Sequence, residues 1–229
     1  MILGMEWSCR KLNNEIEVYF GPLLKGRYEL LREPFCHICA HSGVTTDHCS
    51  WHHSISGLKR IYAMGKYIPK RAKGDLLSYH IWAFKKWKNY AYPLGKGLEI
   101  TVRALYKKLL KSTIIVPIPL HPDKLKERGY NQSLELANVV GGFLNIPVKE
   151  VLLKTRNVDM RGLKWEERRD AVKGLYSMQN NAINKIQGQK ALLIDDVVTT
   201  GFTMSECASL LKDADAASVN VLVAGRAAI

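Results

Sequence analysis

Residues 191–203 read ALLIDDVVTTGFT, and the order of residue types in this stretch decides the fold. The apolar run 191–194 predicts a short buried strand. Two acids and a turn rich in hydroxyl groups follow it, and the apolar spacing of residues 204–214 then predicts an amphipathic helix. This order is typical of an α/β protein, in which ligands bind beyond the carboxyl ends of the strands.

The polar part of this stretch carries groups that bind a sugar phosphate. Asp195 and Asp196 can accept hydrogen bonds from sugar hydroxyls, and the N-terminus of the following helix offers unpaired N–H groups to a phosphate. Glycine allows close approach of the backbone, and threonine hydroxyls can donate to phosphate oxygens. The turn that would hold the phosphate consists of Val198, Thr199, Thr200, Gly201, Phe202 and Thr203.

A second polar block follows another predicted strand. Residues 113–120, TIIVPIPL, predict a buried strand, and residues 133–143 predict a helix. Between them lie Arg128, Asn131 and Gln132, which place a guanidinium and two amides just before a helix. Such groups suit a phosphate or the edge of a sugar phosphate.

Residues 154–176 are polar and basic, and two interpretations of them stay open. A mobile lid that closes over a diphosphate would carry basic residues such as Arg161, Lys164 and Arg168. An ordinary exposed loop and helix would have the same composition.

Almost the whole net charge lies in one quarter of the chain. The formal net charge is +13, and residues 59–111 hold 14 Lys and Arg against two acids, which amounts to +12. This asymmetry indicates a polyanionic partner, and aromatic residues among lysines are typical of single-stranded nucleic-acid binding. Helical spacing also allows a plainer interpretation, in which most of the aromatic residues are core and the lysines are merely solvated. The nucleic-acid candidates are Lys85, Lys86, Lys88, Lys107, Lys108 and Lys111.

Residues 34–53 contain a pattern of zinc ligands. Cys36 and Cys39 form C-x-x-C, and after nine intervening residues Cys49 and His52 form C-x-x-H. Thiolates and imidazole are the ligands of closed tetrahedral Zn²⁺ sites, so these four residues predict a structural zinc site. His53 is an alternative to His52, and free cytosolic thiols are the alternative to a metal site.

Length and composition predict the domain organisation. The 229 residues suit one full domain with a small appendage, although residues 1–33 show no sustained period. We predict a zinc-binding module over residues 1–57 and an α/β domain over residues 58–229, with a basic helical part at 58–111. No apolar run is long enough to span a bilayer, and no signal-peptide core is present, so we expect a cytoplasmic protein without a transmembrane segment.

Residues 191–203 resemble the motif of the type I phosphoribosyltransferases, in which an apolar strand, two acids and two further residues precede T-T-G-x-T. The resemblance implies a mostly parallel, doubly wound sheet. It implies that Asp195 and Asp196 hold the ribose 2′- and 3′-hydroxyls of phosphoribosyl diphosphate, and that residues 199–203 hold its 5′-phosphate. Phe202 departs from the motif, which usually has Ala, Gly or Ser there.

Three features in one order resemble the ComF family of competence proteins, and its ComFC members in particular. They are the zinc pattern, the block VPIPLHPDKLKERGYNQS at 116–133 and the block at 192–203. The resemblance covers residues 34–229 and implies a role in natural transformation, with single-stranded DNA and a ComF helicase as partners. Of a further C-x-x-C that members often carry near the N-terminus, only Cys9 is present.

The first functional hypothesis is a DNA-uptake protein that binds single-stranded DNA and a phosphoribosyl ligand. The alternative is an active phosphoribosyltransferase that uses phosphoribosyl diphosphate with Mg²⁺, although the sequence identifies neither its acceptor nor its catalytic residues. A third interpretation is a scaffold that kept the fold and lost the ligand, and Phe202 is its main support.

Overall fold

The computed structural model describes residues 57–68, 75–105, 107–158 and 164–227, together with the backbone of three N-terminal strands. These strands form an antiparallel sheet: β1 (Trp7–Leu12), β2 (Glu15–Phe20) and β3 (Leu24–Glu29). The lack of a sustained period in residues 1–33 hid them from sequence analysis. The local sequence signal for the break between β1 and β2 is Asn13-Asn14, because asparagine favours turns.

A second sheet contains four parallel strands in the order β4-β9-β8-β5. Its strands are β4 (Arg60–Tyr67), β5 (Ile114–Pro117), β8 (Lys190–Val198) and β9 (Ser218–Ala227). A separate antiparallel pair is formed by β6 (Leu152–Lys154) and β7 (Tyr176–Met178). Because β8 lies between β9 and β5, its carboxyl end is at the middle of the edge where ligands of such sheets bind.

Six α-helices connect and cover these strands in the described part of the chain. They are α1 (Leu76–Phe84), α2 (Ala91–Leu105), α3 (Pro122–Arg128), α4 (Gln132–Leu144), α5 (Trp165–Val172) and α6 (Phe202–Asp213). Asp75 caps the start of α1 by accepting from the Ser78 N–H at 2.8 Å. Helix α2 ends at Leu105, and a 3-10 helix over Lys107–Lys111 follows.

The large sheet is buried on both faces. Successive side chains of β8 point to opposite sides, as the period of a strand requires. Leu193 packs with residues of α6, whereas Leu192 packs with residues of α1, α2 and α4. The structure therefore confirms the predicted α/β fold, with helices on both sides of a parallel sheet.

Candidate functional site

The two acids lie near the carboxyl end of β8, within the strand itself. The strand continues through Val198, so Asp195 and Asp196 lie within it instead of following it, although of the two only Asp195 is in register with a residue of β9. Asp195 is opposite Val223 of β9, and both acids are partly buried. The carboxylates are therefore held by a rigid central strand.

Asp195 is tied to a segment far away in the sequence. The Ser133 hydroxyl, in the first turn of α4, donates to Asp195 Oδ1 at 2.7 Å, and the Asp196 N–H donates to the same oxygen at 2.9 Å. Burial, and next the negative charge of Asp196, raise the pKa of Asp195 to about 7, whereas the Ser133 hydrogen bond and the charge of Lys85 oppose that rise. The fold thus disfavours the charged form of Asp195.

The turn after β8 leads directly into α6. Gly201 has φ of 82° and precedes the first helical residue, a conformation that glycine adopts without strain. Glycine has no side chain with which to cap the helix, so no side chain at this position neutralises the positive end of the α6 dipole, which faces the turn. Thr199 is exposed, and Thr200 and Thr203 are partly buried.

Phe202, the residue that departs from the motif, is turned into the protein. Its exposed fraction is 5%, and it forms the first residue of α6. The solvent-facing part of the turn therefore consists of backbone and threonine side chains. Whether the buried ring narrows the site for a phosphate, the main sequence argument for a lost ligand, stays a prediction that a ligand-bound structure tests.

Residues 128–132, which read RGYNQ and are called the RGYNQ block, pack beside the two acids. Asn131 caps α4 by accepting from the Ser133 N–H at 3.0 Å, and its Nδ2 donates to the Ile118 carbonyl at 3.0 Å. Arg128 donates to Gln132 Oε1, while Gln132 Nε2, on a side chain only 3% exposed, has no hydrogen-bond partner among the described residues. Asn131 thus orients the start of α4, and the contact of Arg128 and Gln132 with a ligand stays a prediction.

Tyr130 joins this block to α1. Its hydroxyl donates to the backbone carbonyl of Phe84, the last residue of α1, and the two rings lie 5.8 Å apart between centroids. The charge of Asp196 acts on the Tyr130 hydroxyl. The end of α1 is therefore anchored next to the two acids.

Sequence reasoning missed three residues of this site. Ser133 directly follows the RGYNQ block, but its contact spans 62 positions of sequence. Lys85 was predicted to face nucleic acid only, yet its charge acts on Asp195. Lys154 ends β6, and burial lowers its pKa while the negative charge of Asp195 opposes this effect. Only Ser133 had a local signal, since it follows Gln132 at the start of a helix.

The lid candidates fall on a helix or outside the described residues. Lys164 is the N-cap of α5, and its backbone N–H donates to Glu167 Oε2 at 2.6 Å. Arg168 lies one turn further along α5, and Arg161 lies outside the described residues. Just after α5, the Gly174 N–H donates to Glu206 of α6 at 2.7 Å, which fixes this segment next to the phosphate turn. Whether it closes over a ligand stays a prediction.

The six predicted nucleic-acid lysines are all exposed. Lys85, Lys86 and Lys88 lie at and just after the end of α1, and Lys88 pairs with Glu135 at 2.7 Å. Lys107, Lys108 and Lys111 lie in the 3-10 helix. The zinc candidates Cys36, Cys39, Cys49 and His52 lie outside the described residues.

Fold and site define a class of protein. Residues 143–227 match the family described as "Phosphoribosyl transferase domain", and this range includes β8, the two acids and the turn into α6. This part of the chain is therefore similar to a phosphoribosyl transferase domain. Within the described ranges, no helix has the length and apolar character needed to cross a membrane.

Curated relatives point to a narrower group. Competence protein F of Haemophilus influenzae is 31% identical over 115 residues, 49% of this chain and 50% of that protein. Competence protein ComFC of Bacillus subtilis is 32% identical over 111 residues, 48% and 43% of the two chains. DNA utilization protein YhgH of Escherichia coli is 32% identical over 109 residues, 47% and 46%.

The chain thus spans about half the length of the curated relatives it matches. Over that half, the predicted resemblance to the ComF family of competence proteins is confirmed. Among solved structures, orotate phosphoribosyltransferase from Aeropyrum pernix is similar over 60% of this chain and 59% of that one, with 17% identity and a TM-score of 0.37. That likeness is weak and adds nothing to the assignment.

Proposed function

We propose that this chain is a DNA-utilisation protein that acts in natural transformation, and that its phosphoribosyl transferase domain binds a phosphoribosyl ligand at the carboxyl end of β8. One observation carries the proposal: only five residues separate Asp196, which offers a carboxylate, from Phe202, the first residue of α6. A carboxylate accepts hydrogen bonds from sugar hydroxyls, and a helix N-terminus binds phosphate. The segment thus offers an acceptor for the ribose hydroxyls and a binding site for the phosphate.

The two acids have different parts in this proposal. Asp195 already accepts from the Ser133 hydroxyl and the Asp196 N–H, so one of its oxygens is occupied. One oxygen of Asp196 accepts only from the adjacent Val197 N–H, at 2.7 Å. Asp196 is therefore the principal acceptor for a ribose hydroxyl, and Asp195 supports it from β8.

Phosphoribosyl diphosphate is the ligand that this arrangement fits best. Its 5′-phosphate would take the turn at Thr199–Thr203, and its diphosphate would meet the cations of Lys85 and Lys154, whose charges interact with Asp195. Mg²⁺ on the diphosphate would reduce the repulsion between ligand and acids, and carboxylate oxygens are ligands of the type that Mg²⁺ takes.

The DNA part of the proposal rests on charge. Six exposed lysines stand in the region that holds +12 of the net charge, and lysines bind the phosphates of a single strand with a steep dependence on salt. The names of the relatives, which refer to competence and to DNA utilisation, support the same partner. A ComF helicase as a second partner and a place in the cytoplasm belong to this proposal as well.

Calorimetric titration with phosphoribosyl diphosphate and Mg²⁺ tests the ligand. Asp196→Ala should lower the affinity about tenfold to a hundredfold, because it removes an acceptor that is charged. Asp213→Ala is the matched control: it removes an exposed acid from the far end of α6 and should bind as wild type does. Absence of binding by the wild-type protein would refute the proposed ligand.

A catalytic reaction is the second candidate, and Lys154 is the observation that favours it. A partly desolvated lysine beside the acids could stabilise charge that develops on a leaving diphosphate. Release of pyrophosphate from phosphoribosyl diphosphate in the presence of Mg²⁺ and a panel of bases or amines measures it. Tight binding without release for any acceptor would favour a binding protein over a transferase.

A further inference from the structure

An aromatic cluster stands on the surface of the basic region. Of the two interpretations that the sequence left open, core packing does not apply to Tyr79, Trp82 and Trp87, which are 37%, 40% and 49% exposed. With the partly buried Tyr90 they form a closed set of neighbours at the end of α1. Ring centroids are 6.0 Å apart for Tyr79 and Trp82, 6.1 Å for Trp82 and Trp87, 6.4 Å for Trp87 and Tyr90, and 6.5 Å for Tyr90 and Tyr79. We call these four residues the aromatic cluster.

Three lysines accompany the aromatic cluster, one of them over its rings. The Lys86 ammonium lies 4.5 Å from the centroid of Trp82 and 6.0 Å from that of Trp87, and Lys85 and Lys88 are exposed on either side of it in sequence. The segment 76–98 contains no acid at all. Flat apolar rings within a positively charged surface complement a chain of phosphates that carries unpaired bases.

We propose that the aromatic cluster is a base-stacking surface for single-stranded DNA, with Lys85, Lys86 and Lys88 on the phosphates. This inference rests on the DNA part of the proposed function and goes further, because it assigns the bases to Trp82 and Trp87. The proposal also distinguishes these three lysines from Lys107, Lys108 and Lys111. The 3-10 helix Lys107–Lys111 contains the exposed Leu110 and no aromatic residue of its own.

The chemistry favours a single strand over the alternatives. In a duplex the bases are stacked on each other, so their faces are not accessible to protein rings. An acidic peptide would engage the lysines but has no need of four adjacent rings. A single strand uses both features, since each base has a face to stack and each nucleotide a phosphate to neutralise.

The position of the cluster fits a protein that handles DNA near a phosphoribosyl site. Lys85 follows α1 directly and acts on Asp195, whereas Lys86, next in sequence, lies over Trp82. The Tyr130 hydroxyl fixes the carbonyl of Phe84 at the same place. A strand stacked on the cluster would therefore lie next to the two acids.

Binding of two oligonucleotides of equal length tests the proposal: oligo-dT, and an abasic strand with the same phosphates. Fluorescence anisotropy of the labelled strands at fixed salt gives both affinities. The wild-type protein should prefer oligo-dT by about tenfold or more, because stacking contributes roughly a factor of ten per base. Trp82→Ala with Trp87→Ala should abolish this preference and leave the affinity for the abasic strand unchanged. Trp82→Phe with Trp87→Phe should keep part of it.

The matched control is Leu125→Ala, which removes an exposed apolar side chain from α3 and should keep the preference. Calorimetry with phosphoribosyl diphosphate on the double tryptophan variant should give wild-type affinity, which shows that the variant is folded. If wild type binds both strands equally tightly, or if the double alanine variant keeps the preference, the stacking surface is refuted while the lysine contacts stand. If wild type binds neither strand, the DNA part of the proposed function fails instead.

Discussion

The hydroxyl of Ser133 donates to Oδ1 of Asp195 at 2.7 Å, and this hydrogen bond ties the first turn of α4 to the carboxyl end of β8. It partly offsets the cost of holding a buried carboxylate next to the charge of Asp196, but burial still raises the pKa of Asp195 to about 7. The site therefore contains an acid that the fold disfavours in its charged form.

That burial predicts a dependence of stability on pH. An aspartate in the unfolded chain ionises near pH 3.9, so between about pH 4 and pH 7 the folded state binds more protons at this position. The contribution of Asp195 to the free energy of unfolding therefore falls as pH rises through this window, and is constant above it. Asp195→Asn removes this effect. The free energy of unfolding of the variant minus that of wild type should therefore be about 2 kcal/mol larger at pH 8 than at pH 5.

Urea unfolding at the two pH values measures this difference. Asp213→Asn, an exposed substitution on α6, should keep the pH dependence of wild type. The same stability difference between Asp195→Asn and wild type at pH 5 and at pH 8 would show that Asp195 titrates normally in the folded protein.

Two glycines with positive φ allow the role of the phosphate turn in binding to be separated from the effect of backbone strain. Gly201 has φ of 82° and Gly188 has φ of 72°, so Gly201→Ala and Gly188→Ala should each destabilise the protein by about 1 kcal/mol. Only Gly201→Ala should also lower the affinity for phosphoribosyl diphosphate, by about tenfold, because it displaces N–H groups that hold the phosphate. Thermal unfolding and calorimetry measure the two effects, and equal affinities of the two variants would contradict this role of the turn.

Neighbouring glycines of α4 should respond to alanine in opposite directions. A Cβ on Gly141 would lie 2.8 Å from the Ile146 carbonyl oxygen and 2.9 Å from Val148 Cγ2, so Gly141→Ala should cost about 1–3 kcal/mol. A Cβ on Gly142 meets nothing within 4 Å, so Gly142→Ala should stabilise the protein by about 0.5–1 kcal/mol through helix propensity. Denaturant unfolding of both variants decides this, and destabilisation by both would mean that the helix does not tolerate alanine at either place.

The zinc site is a prediction from the sequence alone. Protein purified without chelator should contain about one zinc ion per chain, and Cys36→Ser with Cys39→Ser should lose it, because two of four ligands are removed. Elemental analysis measures the metal. Cys207→Ala, which changes a buried cysteine of α6, should keep the zinc content of wild type. A wild-type protein without zinc would leave free thiols as the explanation of the cysteine spacing.

Features with a local signal could be predicted from the sequence. The order of apolar run, acids, glycine turn and amphipathic helix is contained in residues 191–214, and it predicted β8, the turn and α6. The resemblance to the type I phosphoribosyltransferases implied a mostly parallel sheet, and the large sheet confirms it. The structure refined one detail, because the strand runs past Asp195 and Asp196 to Val198.

Features that depend on contacts between distant segments could not be predicted in this way. The Ser133 hydroxyl reaches Asp195 only because α4 packs on the face of the sheet next to β5 and β8. Likewise, Trp87 has helical spacing with core residues, yet α1 ends at Phe84 and leaves Trp87 exposed. Periodicity identifies an apolar stripe, but packing decides how wide a stripe is covered.

The hydrogen bond of Tyr130 would couple the binding of a phosphoribosyl ligand to the binding of single-stranded DNA. Its hydroxyl is bonded to the carbonyl of Phe84, so the loop beside the acids and the turn that carries Lys85 and Lys86 move together or not at all. A ligand that shifts this loop would change the affinity for a strand on the aromatic cluster. Thermodynamic reciprocity then requires the strand to change the affinity for the ligand by the same factor, so arriving DNA would set how tightly the phosphoribosyl group is held.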